Sequence, residues 1–363
     1  MRLKVNEEMA ECAVLGGAFL GGGGGGDLNL GLEHAKMALK LGDVEIVDLD
    51  SIPSDGYIVT ASMVGAPAAK ERYVLPSHMV KSFELLMEVD SLKVEGIISS
   101  ENGGYSTING WIASSILGIP MVDAPADGRA HPTGVMGAMG LHKVKDYTSI
   151  QSAVGGNKEE GRYIEIVIKG SLEKASRMVR EAAVQAGGLV AVARNPVGID
   201  YVRKNGAVGA ITQAIEVGML MKKYKGNPYK LSEKLIEYFG EGNIVDRGKI
   251  REVSLETKGG FDLGKILVDG EKDSYEIAFW NEFMTLENLE GKRFGTFPDL
   301  ISMIELESSL PLTSAEAKKG MEVILLLIPK SRIILGEGVK DLELLKEAGR
   351  VIGKSLLGGE TSC

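Results

Sequence analysis

The sequence predicts an α/β protein: an N-terminal three-layer α/β/α sandwich over residues 1–240, a small all-β barrel-like domain over 241–335, and a C-terminal helical segment over 336–363 that packs back on the first domain. Two observations carry this. Strand-like apolar runs alternate with amphipathic helical stretches as far as Gly240, which argues a parallel or mixed sheet covered by helices on both faces. Beyond Gly240 the segments are short, strand-like and separated by Gly, Asp, Asn and Lys, the pattern of an all-β module. Punctuation is heavy, with 48 glycines in 363 residues and six in a row at Gly21 to Gly26. These glycines have no three-residue period and only 11 prolines accompany them, so neither collagen nor a disordered chain is indicated.

Taken in order, a helix is expected from about Asn6 to Phe19, with early acidic residues and apolar Met9, Val14 and Leu15. The glycine run follows, and Asp27 then caps a second helix that Gly42 ends. Strands are read at 44–49, 57–63, 94–99 and 119–123, with helices near 77–89 and 107–117 between them. A strand at 163–168, an amphipathic helix from Leu172 to Ala186, a strand at 188–193 and two or three helices over 197–239 complete the first unit. In the second unit GKIREVSLET, GKILVDG, YEIAFWNEFMTLEN and VILLLIP read as strands, whereas Asp299 reads as a cap for a helix-like ISMIE. A last helix is expected near 339–356.

Forty-one basic against 50 acidic residues leave a net charge of −9 with no basic stripe, so no nucleic-acid partner is expected. The N-terminus lacks the apolar core of a signal peptide, and no apolar run reaches the ~18 residues of a membrane span. A cytoplasmic protein without membrane contact is expected. Its two cysteines, Cys12 and Cys363, form no CxxC spacing, and Cys12 in its apolar helix reads as buried and inert.

Six glycines satisfy GxGxxG automatically, so that match says little. A dinucleotide fingerprint needs a strand before the turn, and here a helix precedes it. A Walker loop needs Lys and Ser/Thr where Asp27 and Leu28 stand. No nucleotide is therefore expected. What remains is a loop whose backbone approaches a ligand closely beside a helix N-terminus, or a plain helix-to-helix turn.

The densest chemistry lies at 101–131. Glu101 follows one strand and Asp123 closes the next, at the carboxyl ends where open α/β sheets bind ligands. Asp127, Arg129 and His131 share one loop. Each also has a structural reading: the aspartates as turn caps, Arg129 as an ion-pair partner, His131 as a polar loop residue. The four histidines form no HxH, HxxxH or HExxH spacing, and mixed His/Asp ligation of a divalent metal is left open. In the β module Asn281 and Glu282 interrupt an apolar strand and face either a cleft or solvent.

FLGGGGGGDLNLG, DVEIVDLDSIPSDG, ENGG, GIPMVDAPADGRAHP, FWNEF, GTFPDLI and PLTSAEAKKGMEVILLLIP, in this order along nearly the whole chain, resemble the S-methyl thiohydantoin desulfurase-like family, associated with hydantoin utilisation. The resemblance implies an α/β sandwich followed by a barrel-like domain. It also implies hydrolytic removal of methanethiol from an S-methyl thiohydantoin, the activity of the family's namesake. Matching positions are Gly23, Gly24, Gly25 and Gly26 with Asp27; Glu101 with Gly103 and Gly104; Asp123; Asp127 with Gly128 and Arg129; and Asn281 with Glu282. Asn102, Tyr105, Ala124, Pro125, Ala126, His131 and Thr133 depart from the familiar pattern.

The expected catalytic set is therefore Glu101, Asp123, Asp127, Arg129 and His131. Gly23 to Gly26, Asp27, Gly103, Gly104, Asn281 and Glu282 are expected to bind a small hydantoin-like substrate. A homo-oligomer is the expected assembly. The alternative is a non-catalytic accessory subunit of an ATP-dependent hydantoinase or oxoprolinase-type partner.

Overall fold

The structure, a computed structural model, describes residues 2–66 and 69–357; Cys363 lies outside them. In chain order the first unit comprises β1 (Arg2–Lys4), α1 (Glu7–Leu20), α2 (Leu28–Leu41), β2 (Glu45–Val47), β3 (Tyr57–Gly65), α3 (Pro76–Glu88), β4 (Val94–Ser99), α4 (Trp111–Leu117), β5 (Met121–Val122), β6 (Ser149–Gly155), β7 (Ile164–Gly170), α5 (Leu172–Gln185), β8 (Leu189–Gly198), α6 (Ile199–Asn205), α7 (Ala210–Lys223) and α8 (Pro228–Phe239). Its eight strands form one mixed sheet in the order β1-β2-β5-β4-β3-β8-β6-β7. The central strands β2, β5, β4 and β3 run parallel, and β8, β6 and β7 extend the sheet antiparallel.

Strand periodicity sets the layers. On β8, Val190 and Val192 pack with Val179 and Ala183 of α5, while Ala193 belongs to the core beneath α3 on the opposite face. Helices on both faces give the three-layer sandwich. The strand β6 escaped the sequence reading because Ser149, Gln151 and Ser152 break its apolar pattern. All three are buried, and their side chains are hydrogen-bonded, for instance Ser149 Oγ to Asn195 at 2.7 Å. Cys12 is buried in α1 as a free thiol, its pKa raised by burial.

The second unit contains β9 (Asn243–Lys258), β10 (Phe261–Gly270), β11 (Ser274–Trp280), β12 (Glu282–Asn288), β13 (Arg293–Thr296), β14 (Leu300–Glu305) and β15 (Glu322–Ile328), followed by α9 (Leu342–Ile352). These seven strands form an antiparallel sheet in the order β13-β12-β11-β10-β9-β15-β14, curled into a half-barrel around Phe279, Phe283, Ile301 and Leu325. The helix expected at ISMIE is corrected: Leu300–Glu305 is the strand β14, paired residue for residue with β15. Five of its six residues are buried, so it shows a continuous apolar run, which periodicity alone does not assign to helix or strand. Asp299 accordingly caps no helix, and its Oδ1 accepts from Lys330 N at 2.9 Å.

The last helix sits at the seam of the two units. Leu345 and Ala348 pack with Trp280, Met284 and Phe297 of the half-barrel and with Met136 of the sandwich. Asp341 caps α9 and pairs with His142 and Lys143. Among the described residues no helix is long and apolar enough to cross a membrane.

Candidate active site

The two sheets meet at a cleft of about 310 Å³. One wall is the end of β4 with the loop from His131 to Gly134, another is formed by β8 and α5, and the third is the Asn281–Glu282 turn and residues 313–316 of the half-barrel. The glycine loop forms the floor between them.

Carbonyl groups of this loop stitch the units together. Gly22 O accepts from Phe283 N and Gly23 O from Ser314 N, both at 2.8 Å, on the half-barrel side. On the sandwich side Gly25 O accepts from Tyr105 N at 2.8 Å and Ser106 N at 2.9 Å. Gly25 has φ +79°, and a Cβ there would stand 2.3 Å from Gly103 Cα, so glycine is required on both counts. Gly23, Gly25 and Gly26 line the cleft, and their N–H groups have no protein acceptor among the described residues. Such N–H groups can hold a carbonyl oxygen or a developing anion. Asp27 also borders the cleft, and its Oδ1 caps α2 through Leu30 N at 2.7 Å. Gly103 and Gly104 lie behind the loop as its support, outside the cleft lining.

Glu101 and His131 face the cleft as a pair. Glu101 Oε1 accepts from Ser106 Oγ at 2.9 Å and Oε2 from the His131 backbone N–H at 3.1 Å, while His131 Nε2 lies 3.2 Å from Oε2. Burial lowers the His131 pKa and neighbouring Arg194 lowers it further, against the raising effect of Glu101. The imidazole is therefore neutral at pH 7.

Opposite stands Glu282. Asn281 at φ +56° makes the reversal between β11 and β12, locked by Asp262 N donating to its Oδ1 at 2.9 Å and by its own N–H donating to Asp262 O at 2.7 Å. Asparagine tolerates this conformation. The turn drives Glu282 into the protein, where it is 2% exposed and its Oε2 has no hydrogen-bond partner. Burial first, and then the nearby Glu101, hold its pKa well above the usual carboxylate range, so it keeps its proton to higher pH than an ordinary carboxyl group.

Two cleft residues escaped the sequence reading. Arg194 ends the apolar run of β8, where a cation in an otherwise apolar strand is the signal that was available. Arg180 of α5 carried no signal, because arginine on an amphipathic helix reads as a solvated face. It stacks 3.9 Å over Phe261 and donates to Gly260 O at 2.7 Å. Burial depresses both guanidinium groups to about 10, still charged at pH 7.

Three expected catalytic residues lie outside the cleft lining. Asp123 Oδ1 accepts from Ile211 N at 2.8 Å and Thr212 N at 3.2 Å, which places the carboxylate at the N-terminus of α7. Arg129 is fully buried beneath Gly22, stacked 4.4 Å over Phe297 and donating to Asp299 O. Asp127 Oδ1 accepts from Gly128 N and Gly336 N, each at 2.9 Å, and its Oδ2 has no partner. These three tie the loop after β5 to α7, the half-barrel and the C-terminal segment, with no face on the cleft.

Burial pushes the Asp127 pKa up to about 8. Between the unfolded value of about 3.9 and 8 the folded state holds a proton that the unfolded state has lost, so this group makes stability fall as pH rises through that window. Asp127→Asn keeps the acceptor and removes the titration. Its melting temperature should match the parent near pH 4 and exceed it by a growing margin towards pH 8, measured by thermal denaturation at each pH. A constant difference would show that Asp127 does not titrate there.

Among the described residues no three His, Cys, Asp or Glu side chains are grouped to hold a metal ion. The cleft thus lies between an α/β sandwich and a half-barrel and is lined by the glycine loop, acidic side chains that include Glu101 and Glu282, and Arg180 and Arg194. The chain belongs to the S-Me-THD-like family: the N-terminal domain model of that family matches residues 8–159 and the C-terminal domain model residues 170–339. The family division falls within the first sheet, whereas the second sheet begins at Asn243. The fold is similar to the crystal structure of a protein from Chromobacterium violaceum, with a TM-score of 0.73, 16% identity and 97% of each chain covered. No curated protein matches the chain.

Proposed function

We propose that this chain is a hydrolase that replaces the methylthio group of an S-methyl thiohydantoin, or of a closely related hydantoin-like ring, by water. The observation that carries the reading is the pair of carboxyl groups, Glu101 and Glu282, presented to one cleft from two different sheets, with burial raising the pKa of Glu282. Two such groups in different environments divide base and acid work between them.

In this reading Glu101, oriented by Ser106 and His131, takes a proton from water as its oxygen attacks the ring carbon that bears sulfur. The electron pair of the C=N bond moves to the ring nitrogen, which takes the proton from Glu101. The amides of Gly23, Gly25 and Gly26 hold the ring carbonyl and the charge that develops there. As the added hydroxyl becomes the carbonyl the C–S bond breaks, Glu282 protonates the departing methanethiolate, and the hydroxyl proton that is released restores Glu282. One water is consumed, its oxygen becomes the new ring carbonyl, one hydrogen ends on nitrogen and one on sulfur. The products are a hydantoin and methanethiol.

The test is to incubate the purified protein with a panel of 5-substituted S-methyl thiohydantoins, with and without divalent metals, and to titrate the released thiol. Equimolar hydantoin and methanethiol are expected from the protein alone. Absence of thiol across the panel would remove the reading.

A further inference from the structure

We propose that Arg194, with Arg180 beside it, is a carboxylate-binding subsite, so that the ring taken by this protein carries an acidic substituent. The inference rests on the hydrolase reading for the ring itself, but its own observations are independent.

Arg194 is 3% exposed and lines the cleft. Among the described residues its guanidinium makes no hydrogen bond or ion pair, its Nε is buried without a partner, and Glu101 acts on it only as a nearby charge. Buried arginines are ordinarily paired, because an unpaired buried charge is costly. Room is kept for this one: a Cβ on Gly134 would stand 2.6 Å from Arg194 Nη1. Burial and then the charge of Arg194 lower the Arg180 pKa, against the raising effect of Glu282, so two cations share one wall of the cleft. A third, Arg72, stands exposed at the rim.

Charge selects the ligand. The lining holds Asp27, Glu101, Asp262 and Glu316 as well as Arg72, Arg180 and Arg194, so the cleft has no overall positive surplus and repels a phosphate dianion more than a single carboxylate seated on Arg194 and Arg180. The planar fork of a guanidinium also suits a carboxylate.

The experiment measures binding by calorimetry, without turnover, for hydantoin-5-acetate, 5-methylhydantoin, succinate and inorganic phosphate. The native protein is expected to bind hydantoin-5-acetate about 10-fold or more tightly than 5-methylhydantoin, as a difference near 1.4 kcal/mol gives. Arg194→Gln should erase that preference and leave 5-methylhydantoin affinity unchanged within about two-fold. Arg180→Gln should reduce it. Since Arg194 has no hydrogen-bond partner among the described residues, Arg194→Gln should melt no lower than the parent, whereas a structural arginine would lower the melting point. Equal affinity for the two hydantoins, or a preference that survives Arg194→Gln, overturns the subsite and leaves the ring reading standing. Arg194-dependent binding of succinate with no binding of either hydantoin does the reverse. Phosphate binding more tightly than succinate overturns the carboxylate assignment, and no binding by any probe overturns both.

Discussion

Glu282→Gln is expected to lower turnover by about 10²- to 10⁴-fold, the range of a lost general acid, with the melting temperature unchanged or raised. The two halves of this expectation have one cause. Burial favours the neutral form of the native carboxyl, so the amide replaces a group of the same shape without adding charge, and folding no longer carries the cost of a buried group that ionises as pH rises. What glutamine lacks is a transferable proton. The parent should therefore lose activity on the alkaline side as Glu282 gives up its proton, and Glu282→Gln should lose that limb while keeping a low, flat residual rate. Glu101→Gln should also be slow, and the double variant little slower than either single one, because base and acid serve the same bond exchange. Native-like turnover with an unshifted pH profile in Glu282→Gln would take this residue out of the chemistry.

Why Glu282 and Glu101 were legible while Arg180 was not follows from what a sequence records. Polar residues inside an apolar strand, as in FWNEF, or at the end of one, as in IISSEN, announce themselves by breaking a pattern with period two. The same rule favoured Asp123, but it cannot tell a carboxylate aimed at a ligand from one aimed at a helix N-terminus, and here α7 took it. Asp127 and Arg129 share a loop with His131, yet the backbone turns between them. His131 reaches the cleft while Arg129 goes under Gly22 and Asp127 points to Gly336. Arg180 belongs to a helix whose exposed face is full of charge, and only the arrival of Phe261 from a distant hairpin distinguishes it from Arg177. The fold was readable because alternation and turn chemistry are local. The strand β6 was not, since its buried serines and glutamine hydrogen-bond to partners far along the chain.

The glycine loop makes the second large prediction, and three single variants separate its causes. Gly118 has φ +69° with nothing within 4 Å of a new Cβ, so Gly118→Ala meets only the left-handed backbone penalty, about 1–2 kcal/mol. Gly103 has no positive φ, but its Cβ would stand 2.2 Å from Gly25 Cα, so Gly103→Ala meets only overpacking, about 1–3 kcal/mol. Gly25→Ala meets both, and any shift that relieves the contact breaks the two hydrogen bonds from Tyr105 N and Ser106 N to Gly25 O. Its expected cost is about 3 kcal/mol or more, a large part of a typical stability of about 5–15 kcal/mol. Urea denaturation should rank the three accordingly, Gly118→Ala mildest and Gly25→Ala worst. Activity should not follow that ranking. Ser106 holds Glu101 in place through the bond at 2.9 Å, so displacing the loop disorders the proposed base even where the protein still folds. Gly103→Ala and Gly25→Ala should therefore lose turnover well below their unfolding midpoints, whereas Gly118→Ala keeps it. A Gly25→Ala protein as stable and as active as Gly118→Ala would mean that the loop and the turn after β4 part easily, and that six glycines are not needed to bring them together.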